Sequence, residues 1–229
     1  MPLLLPRFVA LAAILVAALA LAGCASEDLD TDTTSTVTST QPSPVVVAIG
    51  DSIMKGHGLA PAQSWPALLA KTNAWSLDNL ACDGAGFVKA GDADDCGDDF
   101  SGLVEEAVAA KPSLILISGS SNDLGISNSR LQEQTIQVVT ALRAALPGTT
   151  IVGISTVWND TVAPDQMDDI NEQVRQAVRG VGGVYLDIGQ PLAGHRSWLQ
   201  SDDVHPTAKG QRELAKAIAG AVRSAKLTL

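Results

Sequence analysis

Aromatic residues are scarce in this chain, at 3% of 229 residues, with a single tyrosine and three phenylalanines. A domain-sized core must therefore rest on Ala, Val, Leu and Ile, and the 46% hydrophobic content is enough to supply one. Positive charge is short as well: 15 Lys and Arg stand against 25 Asp and Glu, a net charge of −10. An acidic surface repels phosphate backbones and anionic headgroups, which argues against nucleic acid as a partner and against membrane attachment by charge. Solubility is the plainer reason for the charge. There are only 3 cysteines, and no internal repeats are visible. The length suits one domain once processed segments are set aside.

The one long apolar run covers residues 8–22, follows the lone basic Arg7, and ends in Leu21-Ala22-Gly23-Cys24. It is too short to span a bilayer and has the build of a secretory signal. Its ending resembles the bacterial lipobox, in which the cysteine is lipidated and becomes the first residue of the mature protein. On that reading residues 1–23 are a lipoprotein signal peptide and Cys24 carries the anchor, which would be the only contact with the membrane. An ordinary signal peptide with a cysteine at its cleavage site is the alternative. Without the signal the chain holds 14 basic and 25 acidic residues. The expected location is outside the cytoplasm, where disulfides persist. Cys82 and Cys96 then form an even pair, and a bridge between them would close a loop of about 15 residues, worth roughly 3 kcal/mol.

Residues 24–44, rich in Ser, Thr and Asp with almost nothing apolar, cannot offset the entropy of ordering and read as a tether. Fully extended it would reach about 65–70 Å. From residue 45 to 229 short apolar runs alternate with longer amphipathic ones. Strands are expected at residues 45–50, 75–80, 114–118, 150–156 and 184–188. Helices are expected at 61–72 (with Ser64 as cap and Pro66 in the first turn), 101–111, 129–146, 165–179 and 207–226. Strands separated by helices predict an α/β fold, a three-layer α/β/α sandwich on a five-stranded parallel sheet. In such sheets the chemistry lies at the carboxyl ends of the strands.

Each strand end offers polar groups. After the first come Gly50-Asp51-Ser52 and Gly56, where a serine entering a helical turn is exposed beside backbone N–H groups. A helix-capping serine would look the same. After the second lies Asn79 through Gly84, whose glycine permits close backbone approach or simply makes a turn. After the third, Ser121-Asn122-Asp123 places a side-chain amide at the same edge, either an oxyanion donor or an Asx turn. Before the last helix stands Asp202-Asp203-Val204-His205-Pro206. A nucleophilic serine needs a base, and the base needs a carboxylate to fix its tautomer. Asp202 and His205 can meet the second need on one turn stiffened by Pro206. A surface histidine beside an acidic patch is the alternative.

These four segments, in this order, resemble the motif blocks of the SGNH hydrolases, also called GDSL esterases and lipases. The resemblance spans residues 45–229 and implies a flavodoxin-like sheet and acyl-ester hydrolysis. Carried over, it makes Ser52 the nucleophile, His205 the general base and Asp202 its orienting acid. It makes the N–H groups of Ser52 and Gly84 and the side chain of Asn122 the oxyanion hole. One position departs from the pattern: Ser120 stands where the family usually has glycine, so that its Cβ would narrow the pocket or shift the loop. No Gly-x-Ser-x-Gly elbow occurs, which argues against an α/β-hydrolase.

His57 is expected to line the pocket or its turn, and His195 has no nearby carboxylate in sequence. Trp158, after the fourth strand, is either a pocket wall or a half-buried structural residue. The acidic stretch 91–99 fails the EF-hand template, with Cys96 and Leu103 where ligands are needed, and reads as a solvated loop tied down by Cys96. The chemistry calls for no cofactor or metal. The expected partner is a small acyl ester, such as an acylated glycan or lipid, met by a monomer. A lysophospholipase, a thioesterase and a catalytically silent glycan-binding lipoprotein are the competing readings.

Overall fold

The computed structural model describes residues 42–227. The signal peptide, Cys24 and nearly all of the tether expected from the sequence lie outside the described residues.

Five parallel strands form one sheet in the order β2-β1-β3-β4-β5. They are β1 Val45–Ile49, β2 Ser76–Asn79, β3 Leu114–Ser118, β4 Thr150–Ile154 and β5 Val184–Leu186. The helices are α1 Ser52–Lys55, α2 Trp65–Asn73, α3 Val104–Ala109, α4 Asn128–Ala145, α5 Gln166–Gly180 and α6 Ala208–Ser224.

Side-chain alternation along the strands divides the core in two. Val46, Ala48, Leu114, Leu116, Val152 and Ile154 pack with Trp65 and Leu69 of α2 and with Leu214 and Ile218 of α6. Their neighbours Val47, Ile49, Ile115, Ile117 and Ile151 pack on the other face with Ala107 of α3, Val138 and Leu142 of α4, and Val174 and Val178 of α5. This is the three-layer α/β/α sandwich. The few aromatics are well used, since Phe87 and Phe100 are fully buried and meet edge to face at 4.9 Å, pinning the long segment between β2 and α3.

Four strands and two helices are shorter than the sequence pattern suggests. The first, second, fourth and fifth strands stop one or two residues earlier, where the chain turns into polar loops at the sheet rim. The helix expected at 101–111 narrows to Val104–Ala109. The one expected at 61–72 is interrupted: Pro61–Gln63 forms a 3₁₀ turn, and α2 begins only at Trp65. Ser64 does hold the N-cap position but does not cap, because its hydroxyl donates back to the Pro61 carbonyl. The vacant role passes to Gln211 of α6, whose Oε1 accepts the Trp65 N–H at 2.8 Å.

The strand order reverses direction at β1, which sends the chain to β2 on one side and then to β3 on the other. The carboxyl ends of β1 and β3 flank this switch point, the place where open α/β sheets form clefts. Ser52 follows β1, and Asn122 follows β3.

Candidate active site

Ser52 opens the four-residue helix α1, and each end of that turn is fixed locally. Asp51 caps it, with Oδ1 accepting the Ile53 N–H at 3.0 Å. Gly56 ends it in the left-handed region at φ 83°, donating its N–H to the Ser52 carbonyl. A side chain at Gly56 would meet both that φ and the Cβ of Ser64 at 2.9 Å.

His205 arrives from a distant part of the chain, on the loop before α6. Its Nε2 lies 3.0 Å from Ser52 Oγ, and its Nδ1 lies 2.8 Å from Asp202 Oδ2. The other carboxylate oxygen, Asp202 Oδ1, accepts the backbone N–H groups of Val204 and His205 at 3.0 Å each. Asp202 therefore orients the ring and its backbone together. The hydrogen bond from the imidazole, reinforced by those amides, holds the Asp202 carboxyl far below the usual carboxylate range. The adjacent acid takes no part, because Asp203 pairs with Arg196 instead.

A cavity of about 200 Å³ opens over these groups, lined by Ser52, His57, Asp83, Gly84, Asn122 and His205 among others. Gly84 adopts φ 74°, and an added Cβ would strike Asp92 Oδ1 at 2.7 Å, so this turn is suited to glycine. Asn122 lines the cavity and gives one amide hydrogen to the Ala85 carbonyl at 2.9 Å, which leaves the second without an acceptor among the described residues. Asp123 next to it is fully buried and accepts from the N–H groups of Phe87, Val88 and Lys89. Burial pushes its carboxyl up despite those three donors. These bonds clamp the loop after β2 to the loop after β3. A larger groove of about 710 Å³ lies between α2 and α6 and contains none of these residues.

The structure thus brings Ser52, Asp202, His205, Gly84 and Asn122 to one rim. It bonds Cys82 to Cys96 with Cα atoms 5.9 Å apart, which ties down the acidic loop. That loop is less free than a solvated one: Asp95 accepts the Asp83 N–H at 2.7 Å and pairs with Lys55. Of the two readings of Trp158, the half-buried structural one fits, since it packs against Leu131, Met167 and Ile170 and its Nε1 donates to Thr161. One expectation is corrected. The Ser120 side chain does not narrow the cavity, because it turns inward, is fully buried and is absent from the lining. His195 stacks on Trp198 with ring centroids 3.6 Å apart and is likewise absent from the lining.

His57 does line the cavity, and in a role sequence reading did not supply. Its ring stacks on His205 at 4.1 Å between centroids, and its Nδ1 lies 2.8 Å from Asp83 Oδ2. A second imidazole–carboxylate pair thus stands beside the first. Asp83 had no signal beyond its place next to Gly84, since its partner lies 26 positions away in the chain.

A hydroxyl bonded to an imidazole that is bonded in turn to a carboxylate, at the switch point of a parallel α/β sheet, is the constellation of a carboxylic ester hydrolase. Residues 48–213 match the GDSL-like Lipase/Acylhydrolase family, and the chain belongs to that family. It is 29% identical over 191 residues to a GDSL lipase of Mycobacterium tuberculosis, with 76% of this chain and 79% of that protein covered. Its fold is similar to that of phospholipase A1 from Streptomyces albidoflavus, at a TM-score of 0.57 and 20% identity, covering 78% of this chain and 99% of the other. It is also similar to that of a family two carbohydrate esterase from Cellvibrio japonicus, at a TM-score of 0.63 and 16% identity, covering 80% and 62%.

Proposed function

We propose that the protein is a serine esterase that cleaves short acyl esters, such as O-acetyl groups on a glycan, through an acyl-enzyme formed on Ser52. The observation that carries this reading is the unbroken chain from Asp202 through His205 to Ser52, with contacts of 2.8 and 3.0 Å. His205 takes the Ser52 proton as Oγ attacks the ester carbonyl, then returns it to the departing alcohol. Asp202 keeps Nδ1 protonated, so that Nε2 is the basic nitrogen. The oxyanion is held by the N–H groups of Ser52 and Gly84 and by the Asn122 side chain. Water then repeats the cycle on the acyl-enzyme.

Two features favour a short acyl group and a polar alcohol. The cavity of about 200 Å³ is small, and its rim carries the polar groups of His57, Asp83, Asp92 and Ser121. The larger apolar groove that an acyl tail would need does not reach Ser52. The site residues take no metal or cofactor into these steps. We further propose that residues 1–23 are removed, that Cys24 is lipidated outside the cytoplasm, and that residues 24–44 link this anchor to a hydrolase domain over 45–229.

A fluorophosphonate probe combined with p-nitrophenyl esters of increasing chain length tests the proposal. The probe labels the wild type and not Ser52→Ala, and that variant loses at least about 10⁴-fold in kcat while keeping its far-UV spectrum. Acetate is cleaved better than octanoate. Absence of labelling in folded protein would point to a silent glycan binder, and a preference for octanoate to a lysophospholipase or thioesterase.

A further inference from the structure

Ser120 replaces a glycine of the family pattern, and the structure shows what its hydroxyl touches. Ser120 Oγ lies 2.8 Å from Asp51 Oδ2 and 2.8 Å from the Ala85 carbonyl oxygen, and it accepts the Asn122 N–H at 3.1 Å. A serine hydroxyl carries one hydrogen and can accept two. A carbonyl oxygen cannot donate. If Ser120 gives its hydrogen to an ionised Asp51, the contact with Ala85 sets two oxygens 2.8 Å apart with no proton between them. If instead it gives that hydrogen to Ala85, the contact with Asp51 needs a proton from the carboxyl. Only the second arrangement puts a proton in both short contacts: Asp51 donates to Ser120, Ser120 donates to the Ala85 carbonyl, which also accepts from Asn122 Nδ2, and the Asn122 N–H fills the second lone pair of the hydroxyl.

We propose that Asp51 is a protonated carboxylic acid in the folded protein, and that Asp51 and Ser120 act as positioning residues joining the nucleophile turn to the oxyanion loops by a buried relay of two protons.

The surroundings agree. Asp51 is 4% exposed and Ser120 wholly buried, and among the described residues neither is in an ion pair with a basic side chain. A buried carboxylate without a cation is costly, whereas the neutral acid is not. Burial pushes the Asp51 carboxyl above the ordinary aspartate range, against the pull of the Ser120 hydroxyl, of the Ile53 and Met54 N–H groups, and of His205, the titratable group that faces it across the site. Neutral Asp51 still caps α1, because Oδ1 accepts the Ile53 N–H while Oδ2 carries the proton. The relay thus connects three elements that must agree in position. Asp51 sets Ser52, Ala85 follows Gly84, and Ser120 receives the backbone of Asn122, whose side chain also reaches the Ala85 carbonyl.

The test compares wild type, Asp51→Asn, Asp51→Ala and Ser120→Ala for melting temperature from pH 5 to 8 and for esterase kinetics. An acid whose pKa is raised by folding keeps a proton that the unfolded chain releases above the ordinary aspartate value. Wild-type stability therefore falls as pH rises through that window. Asparagine has no proton to lose, and its amide donates to Ser120 as the acid does. The melting temperature of Asp51→Asn relative to wild type should climb by about 3–5 °C per pH unit over the titrating range. A difference that stays flat or falls with pH overturns the proposal.

The kinetic arm rests on the esterase reading, whereas the thermal arm reports the buried proton whatever the protein's activity. Ser120→Ala and Asp51→Ala should each lose about tenfold in kcat with little change in KM, and Asp51→Asn should recover most of the loss seen in Asp51→Ala. If Asp51→Asn is as slow as Asp51→Ala, a charged carboxylate is required and the relay is wrong.

Discussion

His205 faces Ser52 because one carboxylate holds its ring and its backbone N–H, and also the N–H of the preceding Val204. Two acids sit side by side here, and only one does this work, since Asp203 is engaged by Arg196. Asp202→Asn should therefore lower kcat by about 10²- to 10⁴-fold with KM nearly unchanged, because the amide can present the wrong tautomer partner to Nδ1. Asp203→Asn should stay within about twofold of wild type. Steady-state kinetics on p-nitrophenyl acetate checks both, and equal losses would mean that the turn as a whole, not Asp202, is what matters. The sign of the pH effect follows from the depressed Asp202 carboxyl. Its contribution is present above the unfolded aspartate value and fades only as pH falls through the much lower folded one. At this scale the pairing of Asp202 with His205 was readable, since three residues on a tight turn can only meet locally. The meeting of His205 with Ser52 spans 153 positions and came from the family resemblance, not from any local pattern. The pairs His57–Asp83 and Asp51–Ser120 left no trace in the sequence, because each joins loops that only the sheet brings together.

Elements were legible to the extent that burial was periodic. The strands β1, β3, β4 and β5 are short apolar runs, and α5 and α6 show clear apolar faces, so their existence and order followed from pattern alone, whereas β2, Ser76–Asn79, is mostly polar and was marked only by the flanking Trp75 and Leu80. Their ends did not, and α2 shows why. The start of that helix is set by Gln211, a polar residue fully buried in α6 that periodicity assigns no role. Its Oε1 accepts the Trp65 N–H and its Nε2 donates to the Ile53 carbonyl, each at 2.8 Å. One amide thus ties α6 to the first turn of α2 and to the turn that carries Ser52. Gln211→Leu keeps the volume and strands both backbone groups, each worth about 1–3 kcal/mol when buried unsatisfied. A loss of about 2–6 kcal/mol in chemical denaturation is expected, together with slower turnover from a looser α1. A loss below about 1 kcal/mol would show that water replaces the amide.

At the scale of the whole molecule the acidic chain divides between a described domain and an N-terminal segment known only by its sequence. Among the described residues no helix is long and apolar enough to cross a membrane, and the lipidation proposed at Cys24 would supply an anchor of a different kind. The domain itself closes around β1: Pro44 accepts the Ser76 N–H, and the Ser113 N–H reaches Val45. Ahead of Pro44 the described residues add no strand pairing. A chain begun at Pro42 should therefore fold with the melting temperature of the full protein and hydrolyse p-nitrophenyl acetate with the same kcat and KM, free in the aqueous phase. The full chain expressed in a bacterium should partition into detergent on phase separation, and Cys24→Ser should move it to the aqueous phase without changing its kinetics. If Cys24→Ser stayed with the detergent, attachment would reside in the domain, and the apolar groove between α2 and α6 would become the surface to examine.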